Sequence, residues 1–536
     1  MASLDPVTGT LGSARAAHLL RRATFGFNKS TRQQFAGLTA QAAVDQLFLP
    51  PAAATPPLDP LTSPLHTWIG QTPVSEQNDL QAVLLHWWVA GLKNSGSRIT
   101  ERLTYYLHTH FPTIMERVPD ADSIYYQLAL FRYYAAGNFK DLTRALCIDN
   151  AMLAHLDGRY NVAGAPQENF AREFFELYTV GKGAQVSADN YTTFSEQDVH
   201  GATQVCTGWD TDFTYATVDA VTLLPTGKVK GNGTNASQHT AGAKTFSAAF
   251  QNTMITTSAN TVQGVNDELT AFIDMVFAQD HAAEYIVRRL YRFFVYYYIS
   301  DEAETDIIQP LAQQFKASGY ALMPTIKTLL MSQHFYDEDD GVMQNDIRGA
   351  IIKSPVELVL GGLNTFDIPL VSEATNNAVF HQCLGNILSA FSLQGMDLFQ
   401  PYDVAGYDAY HQFPMYNRSW ITTNYLAERY KFFDDLIHGG VLGITFDFVL
   451  WVKLNISDPT QPDLIVDELV ELLFPVVPDA VRRGFFLNDV LLDNLSVGNW
   501  QTEWSLYTVN GNDTGVRQQL ERLFLALTQS PEYQIY

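Results

Sequence analysis

The chain has 536 residues, 46% of them apolar and 17% charged, so it carries ample material for a core and lacks the composition of a disordered protein. Its 33 basic and 57 acidic residues give a net charge of −24, which argues against a general nucleic-acid binder and against adsorption to anionic membranes, since both need clustered cations. Three widely spaced cysteines, Cys147, Cys206 and Cys383, form no zinc pattern or disulfide framework and read as buried free thiols.

The first residues contain no basic segment followed by an apolar run, so no signal peptide is read there. The default compartment is the cytoplasm, with export attached to a partner left open. Residues 14–23 read as a helix with a basic and apolar face, and 39–49 as a second. Residues 50–73 hold seven prolines, which fix φ and remove donors, so this stretch is a connecting arm. Apolar periodicity predicts helices at 76–93, 98–108, 123–136 and 138–155. Residues 166–181 form the best-defined helix, with Pro166 suited to its first turn and Gly181 to its C-terminal cap. Another follows at 195–209, with Glu196 and Asp198 favouring its dipole.

Residues 210–262 are rich in Thr, Gly, Asn and Val and alternate over 213–224, so one or two hairpins with loops are expected. Gly231-Asn232-Gly233 adds a turn signal. Helical pattern returns at 267–278, 282–299, 303–318, 321–332, 354–363, 374–391, 418–436 and 516–529. The longest uncharged stretch, 374–396, contains Asn, Gln and His and is no membrane span. Residues 301–320 and 337–340 supply acidic surface. The expected fold is mainly α: a large multi-helix body with a small hairpin and loop insertion around 210–262. Length sets a prior of roughly two to four domains. The division read is 1–60, 61–262 and 263–536, with the last joining the preceding part in one body as the alternative.

The chemistry-bearing residues cluster on the helix at 166–181. At about 100° per residue, with Glu168 at 0°, Arg172 falls near 40°, Glu176 near 80°, Asn169 near 100° and Glu173 near 140°. Phe170, Phe174, Leu177 and Tyr178 fill the opposite arc. One reading is a solvated face with intrahelical pairs of Arg172 to Glu168 and to Glu176. The other is a lined cavity whose carboxylates bind a hard cation or divide acid and base roles. Asp157 and Asn161 lie in the preceding loop as turn formers or oxygen ligands. Asp198 and Asn169 join them as binding candidates. His108 and His110 end an aromatic helix, where residues two apart point about 200° apart and joint ligation of one metal needs a turn. His239 lies in a Gly/Asn/Ser-rich loop and is expected to be exposed unless that loop folds over the site. No phosphate-binding loop, dinucleotide fingerprint, His-Glu-x-x-His helix or nucleophile elbow is present.

Taken together, these segments resemble the bacterial family known as domain of unknown function 1800, in order along nearly the whole chain. The resemblance rests on Ala16-Ala-His-Leu-Leu-Arg-Arg-Ala-Thr-Phe-Gly26, His108-Thr-His110-Phe111, and Leu156-Asp157 with Asn161. Its most specific piece is Gln167-Glu-Asn-Phe-Ala-Arg-Glu-Phe-Phe-Glu-Leu-Tyr-Thr-Val-Gly181. It continues through Tyr191-Thr192, Glu196-Gln-Asp198-Val199, Thr207-Gly-Trp209, His239, Lys244-Thr-Phe246, Lys353-Ser-Pro-Val-Glu357 and Pro401 to Gly406. Gln167 departs from the family's Asn. Tyr178 stands where some relatives carry His, which weakens a ligand reading there. Four residues, Thr192 to Ser195, separate Tyr191 from Glu196, where many members are tighter. The resemblance implies a site at Glu168, Arg172, Glu173 and Glu176 with His108, His110, Asp157 and His239, and supplies no reaction. It also implies a sulfatase-like partner from the family numbered 1501.

Three functions are therefore weighed. The first is a hydrolase on a carbohydrate or ester, with Glu173 or Glu176 as general base, Glu168 as second carboxylate and Arg172 as positioner. In it His108, His110 or His239 would shuttle protons or hold a divalent metal ion. The second is a non-catalytic escort for an exported sulfatase-like partner. The third is a glycan-binding surface built from Trp68, Trp87 and Trp88, residues that otherwise belong to the core.

Overall fold

The computed structural model describes residues 2–232, 234–257, 259–339, 347–439 and 446–536. Gly233 of the turn signal and Asp340 of the acidic stretch lie outside them. The protein is mainly α-helical, and the sheets among the described residues are four two-stranded antiparallel ribbons. Polar side chains set many helix starts. Asn28, Thr39, Asp120, Asn138 and Asp149 each accept a backbone N–H from the first turn, satisfying donors that have no partner within the helix. Ser195 with Asp198, and Ser354 with Glu357, form reciprocal capping boxes. The apolar positions then recur at helical spacing: Asp280–Phe294 buries Ala283, Ile286, Val287, Leu290, Phe293 and Phe294. One contiguous apolar cluster runs from Val7 to Tyr533 and collects side chains from both halves of the chain.

Several elements differ from the sequence expectation. The helix expected over 138–155 is two helices, Phe139–Leu146 and Asn150–His155, because Asp149 turns inward to cap the second. The alternating stretch 213–224 is not a strand. Asp212 and Asp219 accept hydrogen bonds from nearby threonines, and the backbone follows those turns instead of a ladder. Ribbons do form on either side, pairing Trp209–Asp210 with Lys228–Val229 and Ala243–Thr245 with Met254–Thr256. The helices Phe448–Asn455, Pro462–Leu473 and Val497–Asn510 went unread, although Pro462 occupies a favoured first-turn position. No described helix is long and apolar enough to cross a membrane. All three cysteines are free and buried.

Candidate functional site

The segment read as one helix over 166–181 is shorter and of two kinds. Pro166 and Gln167 lie outside it. An α-helical part, Asn169–Glu173, passes into a π-helical part, Phe174–Thr179, that ends where Gly181 takes a φ of +68°. The Thr179 hydroxyl donates 2.6 Å to the Phe174 carbonyl, five residues back, within the widened turn. A π turn adds a residue to the helical repeat, so positions after Glu173 leave the azimuths that a regular 100° step gives them. The buried side is aromatic: Phe174 packs on Phe272 and Phe175 stacks on Phe194.

The polar side divides. Glu168 and Asn169 are exposed. Arg172 pairs with Glu168 at 3.1 Å and grips both oxygens of Glu196 at 2.8 and 3.1 Å. The anticipated bond from Arg172 to Glu176 is replaced, since Glu176 takes Lys182 at 2.7 Å. Glu173 is partly buried and has no cation of its own. Burial first, then the charges of Glu176 and Asp403, push its carboxyl up to about 7 against the opposing pull of Lys182 and Arg172.

Asp403 belongs to the segment after Pro401, and that segment leads into the short helix Asp408–His411. Burial and Arg289 push the His411 imidazole below its ordinary range, while Asp403 and Asp408 act to raise it. Arg289 projects from the helix Asp280–Phe294 and is buried, donating 3.3 Å to the Tyr285 hydroxyl and 3.3 Å to the Thr109 carbonyl. Its charge also reaches Tyr106, His110 and Tyr178. Around it four buried polar atoms lack a hydrogen-bond partner among the described residues: the Tyr106 and Tyr178 hydroxyls, His110 Nδ1, and His411 Nε2, which lies 3.9 Å from Asp408. A cavity of about 30 Å³ runs from Tyr106 and Arg289 past Tyr410 to Glu357 and Tyr536.

The other sequence candidates lie elsewhere. The helix Thr100–His110 is continuous through both histidines, and they diverge as that spacing requires. His108 Nε2 meets the Tyr407 hydroxyl at 3.0 Å beside Trp88 and Phe399, and burial pushes it down to about 3. His110 Nε2 meets the Tyr178 carbonyl at 3.0 Å, which ties it to the polar helix. His239 is buried, because its loop folds inward. Its Nδ1 sits 2.8 Å from the Thr207 carbonyl and its Nε2 3.1 Å from Glu268, which also binds Lys244 at 2.6 Å. Burial raises the Glu268 carboxyl, but hydrogen bonds from His239, Lys244 and Thr257 outweigh that and hold it low. Asp157 adopts a left-handed turn at φ +60°. Asn161 donates to the Thr203 carbonyl and accepts from the Gln167 amide. Asp198 accepts from the amides and hydroxyls of Ser195 and Ser247. The three histidines thus share no ligand set for a divalent ion, and among the described residues no group of three His, Cys, Asp or Glu is placed to hold one.

Sequence reasoning missed Arg289, Asp403, His411 and Glu268. Asp403 lies inside the quoted Pro401 to Gly406 segment and His411 soon after it. Arg289 and Glu268 sit on ordinary amphipathic helices, and nothing local marks them.

Fold and site together define a mainly α-helical protein in which Glu173, on the 169–179 helix, lies within electrostatic reach of Asp403 from the 401–411 segment. The chain belongs to the family described as Protein of unknown function (DUF1800), whose model matches residues 18–535. No curated protein and no solved structure matches it.

Proposed function

We propose that the protein is a hydrolase acting on a carbohydrate or ester at the cluster of Glu173, Asp403 and Arg289, with Glu173 as general base, Asp403 as the second carboxylate, and Arg289 as the cation that meets charge developing on the substrate. The supporting observation is the set of four buried polar atoms around Arg289 that have no hydrogen-bond partner among the described residues, beside a carboxylate that has no ion pair among them. Buried polar atoms are rarely left without partners, so this group is arranged for water or for a ligand that supplies the missing bonds. A base that titrates close to neutrality suits proton removal from water. Arg172 and Glu176 hold the helix through Glu196 and Lys182 and act as positioning residues. Full-length protein assayed against chromogenic glycosides and esters gives a rate that rises with pH through about 7. In Glu173→Gln that rate falls by about 10²–10⁴-fold while the chain still folds. Turnover left intact in the folded Glu173→Gln chain defeats the assignment.

A second reading has its own support. Tyr402, Phe413 and Met415 lie in and just after the 401–411 segment and are 96%, 77% and 48% exposed. Such a grouping of large apolar side chains suits a protein contact, as an escort of a sulfatase-like partner would need. Under this reading, co-expression with such a partner yields a complex that Tyr402→Ser with Phe413→Ser abolishes, and Glu173→Gln leaves the complex intact.

A further inference from the structure

Two of the sequence segments that carry the family resemblance supply none of the residues to which the proposed hydrolysis assigns a role. Arg21 and Arg22 end the helix Gly12–Ala23, and Lys353-Ser-Pro-Val-Glu357 opens the helix Pro355–Thr365. The fold brings them together with Arg102 and Arg429. Arg22, Arg102 and Arg429 are fully buried, while Arg21 and Lys353 are partly buried and face a cavity of about 40 Å³. Thr24, Thr365, Tyr533, Tyr536 and the carboxylate Glu357 also border that cavity. Gly26 closes one side, where a Cβ would lie 2.7 Å from Gly361 Cα.

The charges do not balance. Glu357 faces these five cations as their one ion-pairing carboxylate. It makes a direct ion pair with Arg102, accepts 2.6 Å from the Tyr536 hydroxyl, and accepts 2.6 Å from the Ser354 amide. Among the described residues Arg21, Arg22, Lys353 and Arg429 have no ion pair. They donate to neutral oxygens: the carbonyls of Leu472, Ile347, Tyr533 and Lys353, and the Gln534 amide oxygen. Among the described residues Arg22 Nε and Nη1, Arg102 Nη1 and Arg429 Nη1 have no hydrogen-bond partner, although Arg22 lies over the Tyr536 ring and Arg102 over the Phe293 ring. Burial pushes Arg429 down to about 9; burial, with repulsion from neighbouring cations, pushes Arg21 down to about 9 and Arg22 to about 10 and holds Lys353 well below its ordinary range. Isolated buried cations are costly unless paired. In a chain of net charge −24 this gathering of unpaired cations is a local inversion of sign.

We propose that the cavity between Arg21 and Lys353 binds a phosphate-class oxyanion, either free or as the terminal group of a larger ligand. Arg21 and Lys353 are its direct contacts, Thr24 and Thr365 its hydroxyl neighbours, and Arg22, Arg102 and Arg429 the surrounding charge. The cavity has room for more than one water, for which about 10–15 Å³ suffices, and thus for one small anionic group. Guanidinium and ammonium groups are the usual partners of such oxygens.

Thermal unfolding of the full chain at pH 7, titrated with inorganic phosphate against chloride at equal ionic strength, tests this. The expected result is a saturable rise in Tm with phosphate beyond that with chloride, lost in Arg21→Met and in Lys353→Met. A parallel titration with phenyl phosphate separates the sources: tighter binding than phosphate marks a headgroup of a larger ligand, and weaker binding marks the free ion. Should the variants fail to fold, acetylation of native protein mapped by mass spectrometry serves instead, with phosphate slowing reaction at Lys353 and not at Lys327. Coincident phosphate and chloride curves, variants that respond like the parent, or acetylation of Lys353 indifferent to phosphate would each overturn the proposal.

Discussion

Glu173 is where a single side chain reports its surroundings. Its carboxyl, raised from an ordinary 4.5 to about 7, keeps a proton in the folded chain that the unfolded chain has already released. Between those two pH values the folded state therefore binds more protons, and stability falls as pH rises through the window. The penalty is absent at pH 4 and complete at pH 8. Glu173→Gln, which mimics the protonated form, should raise stability by about 1–2 kcal/mol at pH 8, a figure reduced for solvent screening. At pH 4 it should change little. Thermal unfolding at both pH values decides: an equal shift at each would mean that the substitution acts through packing and that the carboxyl is not strained.

At the scale of elements, two ion pairs of similar length do different work. Arg172 joins the polar helix to the helix Glu196–Val205 through a pair whose side chains are 26% and 43% exposed, where water already screens both charges. Arg172→Met should cost about 0–1 kcal/mol. Lys244 joins the strand Ala243–Thr245 to the helix Val262–Phe277 through Glu268, with both side chains fully buried. Lys244→Met takes the lysine charge from a buried carboxylate that keeps only His239 and Thr257, and should cost about 3–5 kcal/mol. Urea unfolding of the two variants checks the contrast, and similar costs would contradict it. The same contrast explains what was legible in the sequence. The polar helix announced itself by periodicity, by Gly181 and by its alternation of carboxylates with Arg172. Its partners did not, because Glu196 and Lys182 are chosen by tertiary packing and a π turn shifts the register after Glu173. His239 looked like a loop residue because nothing nearby in sequence shows that Glu268 and Lys244 will draw the loop inward. His108 and His110 were separable from spacing alone, since a continuous helix turns them apart. Phe448–Asn455 lacked a clear polar stripe and packs on the helix Thr514–Thr528, remote in sequence, while Val497–Asn510 buries only Trp500 and Trp504 and so carries a weak apolar signal.

At the scale of the whole molecule, the buried charge around Glu357 links distant parts of the chain. Arg102 arrives from the helix Thr100–His110, Arg22 from the N-terminal helix, Arg429 from Thr423–His438, and Tyr536 from the last residues. Each depends on the same carboxylate, so removing its charge exposes Arg102 to uncompensated burial and weakens every segment it joins. Burial raises the Glu357 carboxyl, but Arg102 foremost, with Tyr536 and the Ser354 amide, outweighs that and holds it below its ordinary 4.5. Such a group stabilises the fold fully above its unfolded pKa, and the contribution is lost as pH falls through the folded one. Glu357→Gln keeps the shape and removes the charge. It should lower stability at pH 7 by about 3–5 kcal/mol, and the deficit should close as the parent is acidified below pH 4. Because one apolar cluster spans Val7 to Tyr533, the loss should appear in calorimetry as a single transition moved to lower temperature. A separate early transition, with the remainder of the chain melting at the parent's temperature, would show instead that the segments meeting at Glu357 unfold independently.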